Sequence, residues 1–207
     1  DVIDQRIAGN DTIIGLMQNW GIGTVGTKRK TQMTFPVQHP QGGVLFTATR
    51  SIFQKRWRYP EGVQKSKVLY SLPQVRCLGS SFVFVTEGIF DALKLWSFGS
   101  PAVSLFGVAA SSDQIRLLSA FDLVIWALDQ DAAGRWGQVR NAARLKHHGV
   151  KQAALCLPED VKDPGDLTRT DSDRLYLIHF GASRRRTACY RLPDAMRRVA
   201  SCSFSEQ

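Results

Sequence analysis

Four short apolar runs alternate with three helical stretches over residues 82–157, and this alternation constrains the fold more than any other feature of the chain. Strands that read as continuous apolar runs are buried on both faces, as is typical of parallel sheets. Strands joined through helices form right-handed crossovers in such sheets. We therefore predict an α/β domain with a mainly parallel, four-stranded sheet flanked by helices. The predicted strands lie at about 82–86, 101–105, 123–128 and 153–157, and the helices at about 89–98, 112–120 and 132–148.

The residues before this domain follow a different pattern. Apolar residues recur at helical spacing from Ile13 to Trp20, and Gly21 is placed to end that helix. Between Thr31 and Arg58, two β-like runs separated by Pro and Gly predict a hairpin with a longer loop. The join to the α/β domain is expected near residues 71–81. We therefore divide the chain into a mixed α+β subdomain (1–77), an α/β domain (78–170) and a basic tail (171–207) that is partly helical, at 173–180, or disordered.

Charge is distributed unevenly along the chain. The formal net charge is +9, and residues 1–81 hold 11 Lys and Arg against 4 Asp and Glu, whereas residues 82–170 hold 9 against 10. A basic region beside a near-neutral one with focused carboxylates suits a bound polyanion, although a generally basic protein would show the same excess. No run approaches the roughly 20 apolar residues of a membrane span. The first residues also lack a signal-peptide pattern, so we expect a cytoplasmic protein with no membrane partner.

Three groups of carboxylates follow predicted strands: Glu87 with Asp91, Asp129 with Asp131, and Asp163 with Asp166. Ligands of open α/β sheets bind at the carboxyl ends of the strands, where such groups would meet. Carboxylates that share one place repel each other unless cations lie among them, and Mg²⁺ favours oxygen ligands. Taken singly, each acid could instead cap a helix, lie near a helix N-terminus where the helix dipole favours negative charge, or belong to a turn. Together they predict a metal site for phosphate chemistry.

The three acidic segments resemble the three motifs of the Toprim domain in DnaG-type bacterial and phage primases. The matching segments, in the same order and with similar separation, are Thr86–Asp91, Leu128–Gly134 and Lys162–Leu167. Topoisomerases, small nucleases and recombination proteins share Toprim domains, so this part of the resemblance leaves the reaction open. It implies that Glu87, Asp129 and Asp131 are catalytic, that these three and Asp163 bind metal, and that Asp91 and Asp166 are supporting acids.

The region before the Toprim segment is similar to the basic N-terminal subdomain of the same primase core. The resemblance extends over Met33–Val44 and Arg50–Tyr70, and in the family the basic residues of this subdomain hold nucleotide phosphates and template. By this match the binding residues are Arg50, Lys65 and either Lys55 or Arg56, with Lys67 beside them. Trp57 and Tyr59 lie among these cations and could stack unpaired bases. Alternatively, Trp57 and Tyr59 are half-buried strand residues covered by the aliphatic parts of the basic side chains, and we favour this interpretation.

The combined resemblance, over about residues 10–170, implies a DnaG-like primase core of a phage or mobile element that acts in DNA replication. Such a core is a nucleotidyltransferase, a DNA-directed RNA polymerase that joins ribonucleotides into primers. The implied cofactor is Mg²⁺ or Mn²⁺. The implied partners are a single-stranded DNA template, ribonucleoside triphosphates and a replicative helicase. The four cysteines include no Cys-x-x-Cys pair, so no zinc is expected in this chain.

One departure from the family pattern, two alternative functions and one further motif bear on this hypothesis. In many DnaG primases the second acid of the third motif directly follows the proline, but Gly165 stands there and the acid is Asp166. A Toprim metal-dependent nuclease would use the same carboxylates, and a non-catalytic single-stranded nucleic-acid-binding module would need none of them. Gly21–Gly26 fits the Gly-x-Gly-x-x-Gly spacing of dinucleotide-binding loops, but the predicted helix before it argues against that function.

Overall fold

A computed structural model describes residues 11–27, 30–39, 41–54, 56–179 and 189–191 of the 207-residue chain. The first part contains helix α1 (Asp11–Asn19) and a four-stranded antiparallel sheet in the order β1-β2-β3-β4. The predicted helix and hairpin are confirmed, and Gly21 adopts a left-handed φ of 69° just beyond the helix. Side chains of β2 alternate between buried and half-buried, as expected where one face packs on a core. The strands are Gly23–Val25 (β1), Gln32–Gln38 (β2), Val44–Ser51 (β3) and Trp57–Arg58 (β4).

The second part is built on a six-stranded sheet with four parallel strands in the order β8-β7-β5-β6, which confirms the predicted α/β architecture. The parallel strands are β5 (Phe82–Thr86), β6 (Ala102–Ser104), β7 (Leu123–Trp126) and β8 (Lys151–Cys156). Each crossover contains a helix: α3 (Ile89–Ser97), α4 (Ser112–Leu118) or α5 (Ala132–Lys146). All of β6 and β7 is buried, because helices cover both faces of the sheet.

Several elements differ from the predictions. The predicted join contains a helix, α2 (Leu72–Cys77), whose apolar side chains complete the core of the α/β domain. The predicted helix at 173–180 is wrong, because Arg169–Arg174 forms a 3-10 helix and Tyr176–His179 is strand β9. Strand β9 pairs antiparallel with β8 and with β10 (Cys189–Arg191), so the sheet continues beyond residue 170. The remainder of the predicted tail, including 183–186, lies outside the described residues.

Helix α3 packs between the two sheets. Ala92 and Leu95 contact the core on one side of the α/β sheet, whereas Ile89, Phe90 and Leu93 join Phe35, Val37 and Ala48 of the antiparallel sheet in a separate cluster. A helix that is buried on two faces needs apolar residues nearly all round, as α3 has. The same helix begins directly after the Glu87 segment. The packing of α3 therefore brings the antiparallel sheet, β1 to β4, next to the carboxyl edge of the parallel sheet.

The glycines at 21–26 do not form a nucleotide loop of the dinucleotide-binding kind. Gly23–Val25 is strand β1, which pairs antiparallel with Gln32–Thr34 of β2. A dinucleotide loop requires a preceding strand and a following helix, and here the order is helix and then strand. No helix within the described ranges combines the length and apolar character that crossing a membrane would require.

Candidate active site

A cavity of about 300 Å³ opens where the antiparallel sheet meets the carboxyl edge of the parallel sheet. This volume is at the lower end of the range for small-molecule sites. One side of the cavity is acidic and another is aromatic, with Arg50 as its basic lining residue. The lining residues that bear on chemistry are Arg50, Trp57, Tyr59, Glu87, Phe90, Asp91, Phe106, Asp129 and Asp163. Residues predicted from two separate sequence regions thus meet in one place.

Glu87 lies immediately after β5 and is half-buried. Burial, and after it the negative charges of Asp129, Asp131 and Asp163, raise the pKa of its carboxyl from the ordinary 4.5 to about 7. The backbone N–H of Asp129 donates to Glu87 Oε1 at 3.1 Å, which lowers the pKa but does not offset burial and repulsion. A carboxyl with a pKa near 7 exchanges its proton readily at neutral pH, as a general acid or base must.

Asp129 and Asp131 follow β7 but lie in different surroundings. Asp129 lines the cavity, whereas Asp131 is exposed and lies outside the cavity lining. Asp131 caps helix α5, because its Oδ1 accepts from the N–H of Gly134 at 2.8 Å. The helix-capping alternative for Asp131 is therefore confirmed. Capping uses one oxygen and leaves its predicted role as a metal ligand and catalytic residue untested.

Gly134 allows helix α5 to start against the acidic edge. A Cβ at this position would overlap the carbonyl oxygen of Asp129 and would lie 2.9 Å from Glu87 Oε1. Contacts this short essentially do not occur, so any larger residue would push the helix or the two acidic segments apart. The absence of a side chain at Gly134 therefore lets helix α5 begin close to the acidic residues.

Asp91 connects the first and third acidic motifs. Its Oδ2 accepts from the N–H of Gly88 at 3.0 Å, and its Oδ1 accepts from the N–H of Gly165 at 3.1 Å. Gly165 occupies the position where many DnaG primases carry an acid, and here its backbone is used to anchor the loop. The buried carboxylate of Asp91 thus holds the Glu87 segment and the third motif together.

Asp163 lines the cavity and Asp166 does not, just as Asp129 lines it and Asp131 does not. Asp163 is buried, lines the cavity and accepts from the N–H of Asp166 at 3.2 Å through Oδ1. Asp166 is exposed and does not contribute to the cavity lining. Within the third motif, Asp163 is therefore the acid that faces the site.

Arg50 provides the basic wall of the cavity. Its guanidinium lies over the ring of Phe90 at 4.4 Å and over that of Trp57 at 5.5 Å, and the residue is only 9% exposed. Two aromatic faces hold a planar guanidinium in one orientation more effectively than they would an ammonium group. Arg50 lies on β3 and reaches the cavity because β3 packs beside α3.

Of the other predicted basic residues, those that the structure describes do not line the cavity. Lys65 is exposed, with its Nζ at 4.7 Å from the ring centroid of Tyr59, so it borders the aromatic side. Lys67 and Arg56 are exposed as well. Lys55 lies outside the described residues. Their predicted contacts with nucleotide or template are untested.

Trp57 and Tyr59 are half-buried, as the favoured interpretation of the sequence had it. Their rings lie nearly parallel, with 16° between the planes and 6.5 Å between the centroids. Sequence reasoning missed Phe106, which lies in the loop after β6, lines the cavity and contacts Tyr59 edge-on at 6.0 Å. The signal that could have revealed Phe106 was an aromatic residue followed by glycine at the carboxyl end of a parallel strand.

The donors of the cavity fit a hard divalent cation. Carboxylates are the only candidate metal ligands among its described lining residues, and Mg²⁺ prefers such oxygens. Burial is the main cause of the raised pKa of Glu87, and the negative charges of Asp129, Asp131 and Asp163 add to it; a cation would relieve that repulsion. Within the described ranges, no three acidic, histidine or cysteine side chains are arranged to enclose one ion. Mg²⁺ needs only one or two carboxylates when substrate phosphates and water supply its other ligands, and the predicted metal site stays a prediction.

An α/β sheet with this acidic edge is the architecture of a Toprim domain, and residues 84–168 match the Toprim-like family. The matched residues include Glu87, Asp129, Asp131 and Asp163. Residues 84–168 are therefore similar to the Toprim-like family.

Three similar proteins extend the comparison to the basic region. The chain is 29% identical over 148 residues to the DNA primase of Aquifex aeolicus (67% of this chain and 30% of the relative). It is 26% identical over 151 residues to the DNA primase of Thermotoga maritima (69% and 26%). A solved structure of the DnaG primase catalytic domain bound to ssDNA has a TM-score of 0.58 and 25% identity, covering 81% of this chain and 57% of that one. The predicted resemblance to DnaG-type primase cores is confirmed.

The chain spans less than a third of the length of these two curated relatives. What the whole primases do, bind and assemble with therefore does not transfer to this chain directly.

Proposed function

We propose that this chain is the catalytic core of a DNA primase that joins ribonucleotides on a single-stranded DNA template. The observation that carries the proposal is the convergence of Glu87, Asp129 and Asp163 with Arg50 in one cavity. Carboxylates suit metal-bound phosphates, and a fixed guanidinium suits a phosphate directly. The similarity to DNA primases spans both the acidic and the basic parts, which favours primer synthesis over a nuclease function shared by isolated Toprim domains.

The contacts of each carboxylate indicate its role in the proposed reaction. Asp129 and Asp163, with Asp131 at the rim, would hold Mg²⁺ or Mn²⁺. The metal would orient the attacking hydroxyl and stabilise charge on the transferred phosphoryl group. Glu87 would take up or release a proton at its carboxyl near neutral pH, or add a ligand. Asp91 would act as a positioning residue, because its carboxylate oxygens accept backbone N–H groups of the first and third motifs.

The basic residues divide into an inner and an outer set. Arg50 lies in the cavity, where it would bind the phosphates of a ribonucleoside triphosphate. Lys65, Lys67 and Arg56 are exposed and would follow the backbone of the template, with Lys55 as their neighbour in sequence. The division into a basic subdomain (1–77), a Toprim domain (78–170) and a tail (171–207) stays a proposal, with α2 packing into the core of the α/β domain and β9 extending its sheet. A replicative helicase is a proposed partner.

The direct test is incorporation of labelled ribonucleotides on single-stranded DNA in the presence of Mg²⁺, comparing wild type with Asp129→Asn. We expect incorporation to fall at least about 100-fold, because loss of a charged ligand removes stabilisation from the transferred phosphate. Asp122→Asn is the matched control, since Asp122 is an exposed aspartate at the opposite, amino end of β7. Its activity should equal that of wild type.

Three outcomes would contradict the proposal. Unchanged incorporation by Asp129→Asn would remove Asp129 from the mechanism. Cleavage of the labelled strand without nucleotides would identify a nuclease. Salt-sensitive DNA binding that is indifferent to Mg²⁺ and to Asp129→Asn, with no incorporation by wild type, would identify a binding module.

A further inference from the structure

The aromatic side of the cavity has no role in the chemistry described above. Phe106, Tyr59 and Trp57 line it together, and each is partly exposed to the cavity. The acidic residues lie on another side of the same space. A ligand that fills this cavity would therefore have an anionic or metal-bound part and a flat apolar part.

Phe106 is held in an unfavourable backbone conformation. Its φ is 62°, in the left-handed region where a bulky side chain is a genuine outlier, and Gly107 follows with a φ of 153°. The loop is held there by hydrogen bonds: the N–H of Phe106 donates to Ser104 Oγ at 3.2 Å and the N–H of Gly107 donates to the carbonyl of Glu87 at 3.0 Å. Glycine would adopt this conformation without strain, so the presence of a phenyl ring here needs another explanation.

The surroundings of the ring point to a binding role. Phe106 contacts Tyr59 edge-on at 6.0 Å, Tyr70 edge-on at 6.3 Å and Phe46 at 6.3 Å, which fixes its orientation. Its peptide is bonded to the Glu87 segment, so the ring and the acidic edge keep a constant relation. A ring that is fixed next to phosphate-binding groups is suited to stacking against a nucleobase.

We propose that Phe106, supported by Tyr59 and Trp57, stacks against the base of the ribonucleoside triphosphate whose phosphates lie at the acidic side. This inference rests on the proposed function and identifies a base-binding element of the same site. Stacking accepts any base, because every base has a π-face, so the element would supply affinity without selecting the nucleotide. The base that stacks on Phe106 could belong to a free nucleotide or to the template strand, and the binding test distinguishes the two.

The test is direct binding, which does not require primer synthesis. Affinities for ATP and for inorganic tripolyphosphate, each with Mg²⁺, are measured by calorimetry on wild type and Phe106→Gly. Glycine keeps the left-handed backbone and removes only the ring. We expect ATP to bind about 5- to 150-fold more weakly to the variant, the range that corresponds to loss of one base–aromatic stack. Tripolyphosphate, which has no base, should bind equally to both proteins.

Two further variants separate stacking from folding. Phe106→Asn tolerates the left-handed conformation and should behave like Phe106→Gly, whereas Phe106→Tyr retains a ring and should bind ATP like wild type. Phe82→Ala removes a half-buried phenyl ring elsewhere, next to Phe84, and should leave ATP affinity unchanged. Affinity for a dT oligonucleotide, measured by fluorescence anisotropy, should be unaffected by Phe106→Gly.

The inference is overturned if Phe106→Gly weakens ATP and tripolyphosphate equally, because the ring then only supports the fold. It is also overturned if neither affinity changes, or if dT affinity falls while ATP affinity does not, since the base is then that of the template. A wild-type protein that binds ATP in the expected way but makes no primers would contradict the proposed function and leave the stacking inference intact.

Discussion

The two sheets of this protein place opposite charges in one cavity by different means. The acidic residues follow strands that are buried almost throughout, such as β5 and β7. Arg50 instead lies on β3, a strand whose start is exposed and whose later residues alternate between buried and half-buried. At the end of these buried strands, burial first and repulsion by Asp129, Asp131 and Asp163 second raise the pKa of Glu87. The basic side relies on exposed lysines and a single buried arginine, so we expect it to tolerate change better.

The largest effect is expected from Gly134→Ala, which tests whether the acidic side is rigid. The new Cβ would overlap the Asp129 carbonyl and approach Glu87 Oε1, and overpacking of this kind costs about 1–3 kcal/mol in the free energy of unfolding. Displacement of the two acids would reduce incorporation about 100-fold. Denaturant unfolding and the incorporation assay measure the two effects.

Gly15→Ala provides the control for that prediction. Gly15 lies within α1, where a Cβ would meet no atom within 4 Å. Alanine should therefore stabilise the helix by about 0.5–1 kcal/mol and leave incorporation unchanged. Equal behaviour of the two glycine variants would show that helix α5 can move away from the acidic edge at little cost.

A smaller effect is expected from Arg50→Met, which breaks the inner basic contact. The methionine keeps an apolar stem against Phe90 and Trp57 but removes the charge. Hydrogen bonds to charged groups contribute about 1.5–3 kcal/mol, so ATP should bind at least about 10-fold more weakly. Arg116→Met, at an exposed ion pair on α4, should bind ATP normally. If both variants bind like wild type, Arg50 serves the fold alone.

The outer lysines should each contribute less. Lys65→Ala and Lys67→Ala remove exposed charges that the proposal places along the template. Each should reduce the slope of log affinity for single-stranded DNA against log salt by about 0.7. Anisotropy titrations at several salt concentrations give the slope. Lys151→Ala, at the amino end of β8, should leave it unaltered; an equal change there would indicate non-specific attraction.

The smallest effect concerns Glu87 and pH. In the folded chain its pKa is about 7, above the ordinary 4.5, so between these values the folded state holds a proton that the unfolded state has released. The free energy of unfolding should therefore fall as pH rises from about 4.5 through 7 in metal-free solution. In Glu87→Gln this part of the pH dependence should disappear, whereas Glu61→Gln, at an exposed position, should retain it. Thermal unfolding with a chelator, from pH 4.5 to 8, measures the difference.

The parallel sheet was more predictable than the antiparallel additions to it. Its four strands are apolar runs long enough to be recognised, and the helices between them begin within a residue or two of the predicted positions. Strand β9 was missed because Tyr176–His179 is short and mixed in character, and only its pairing with β8 makes it a strand. Helix α2 was missed for a similar reason, since six residues with one proline carry little helical signal.

The acidic edge could be placed from the sequence, because parallel strands end at the same edge whatever the side chains do elsewhere. The sequence did not determine which of these acids face the cavity. Asp129 and Asp163 face it, whereas Asp131 caps a helix and Asp166 is exposed. The meeting of Arg50 and Phe106 with those acids was decided only by the tertiary structure. It depends on α3 packing between two sheets and on the left-handed Phe106, whose loop is held by a local hydrogen bond to Ser104 and a long-range one from Gly107 to Glu87. Local periodicity contains neither feature.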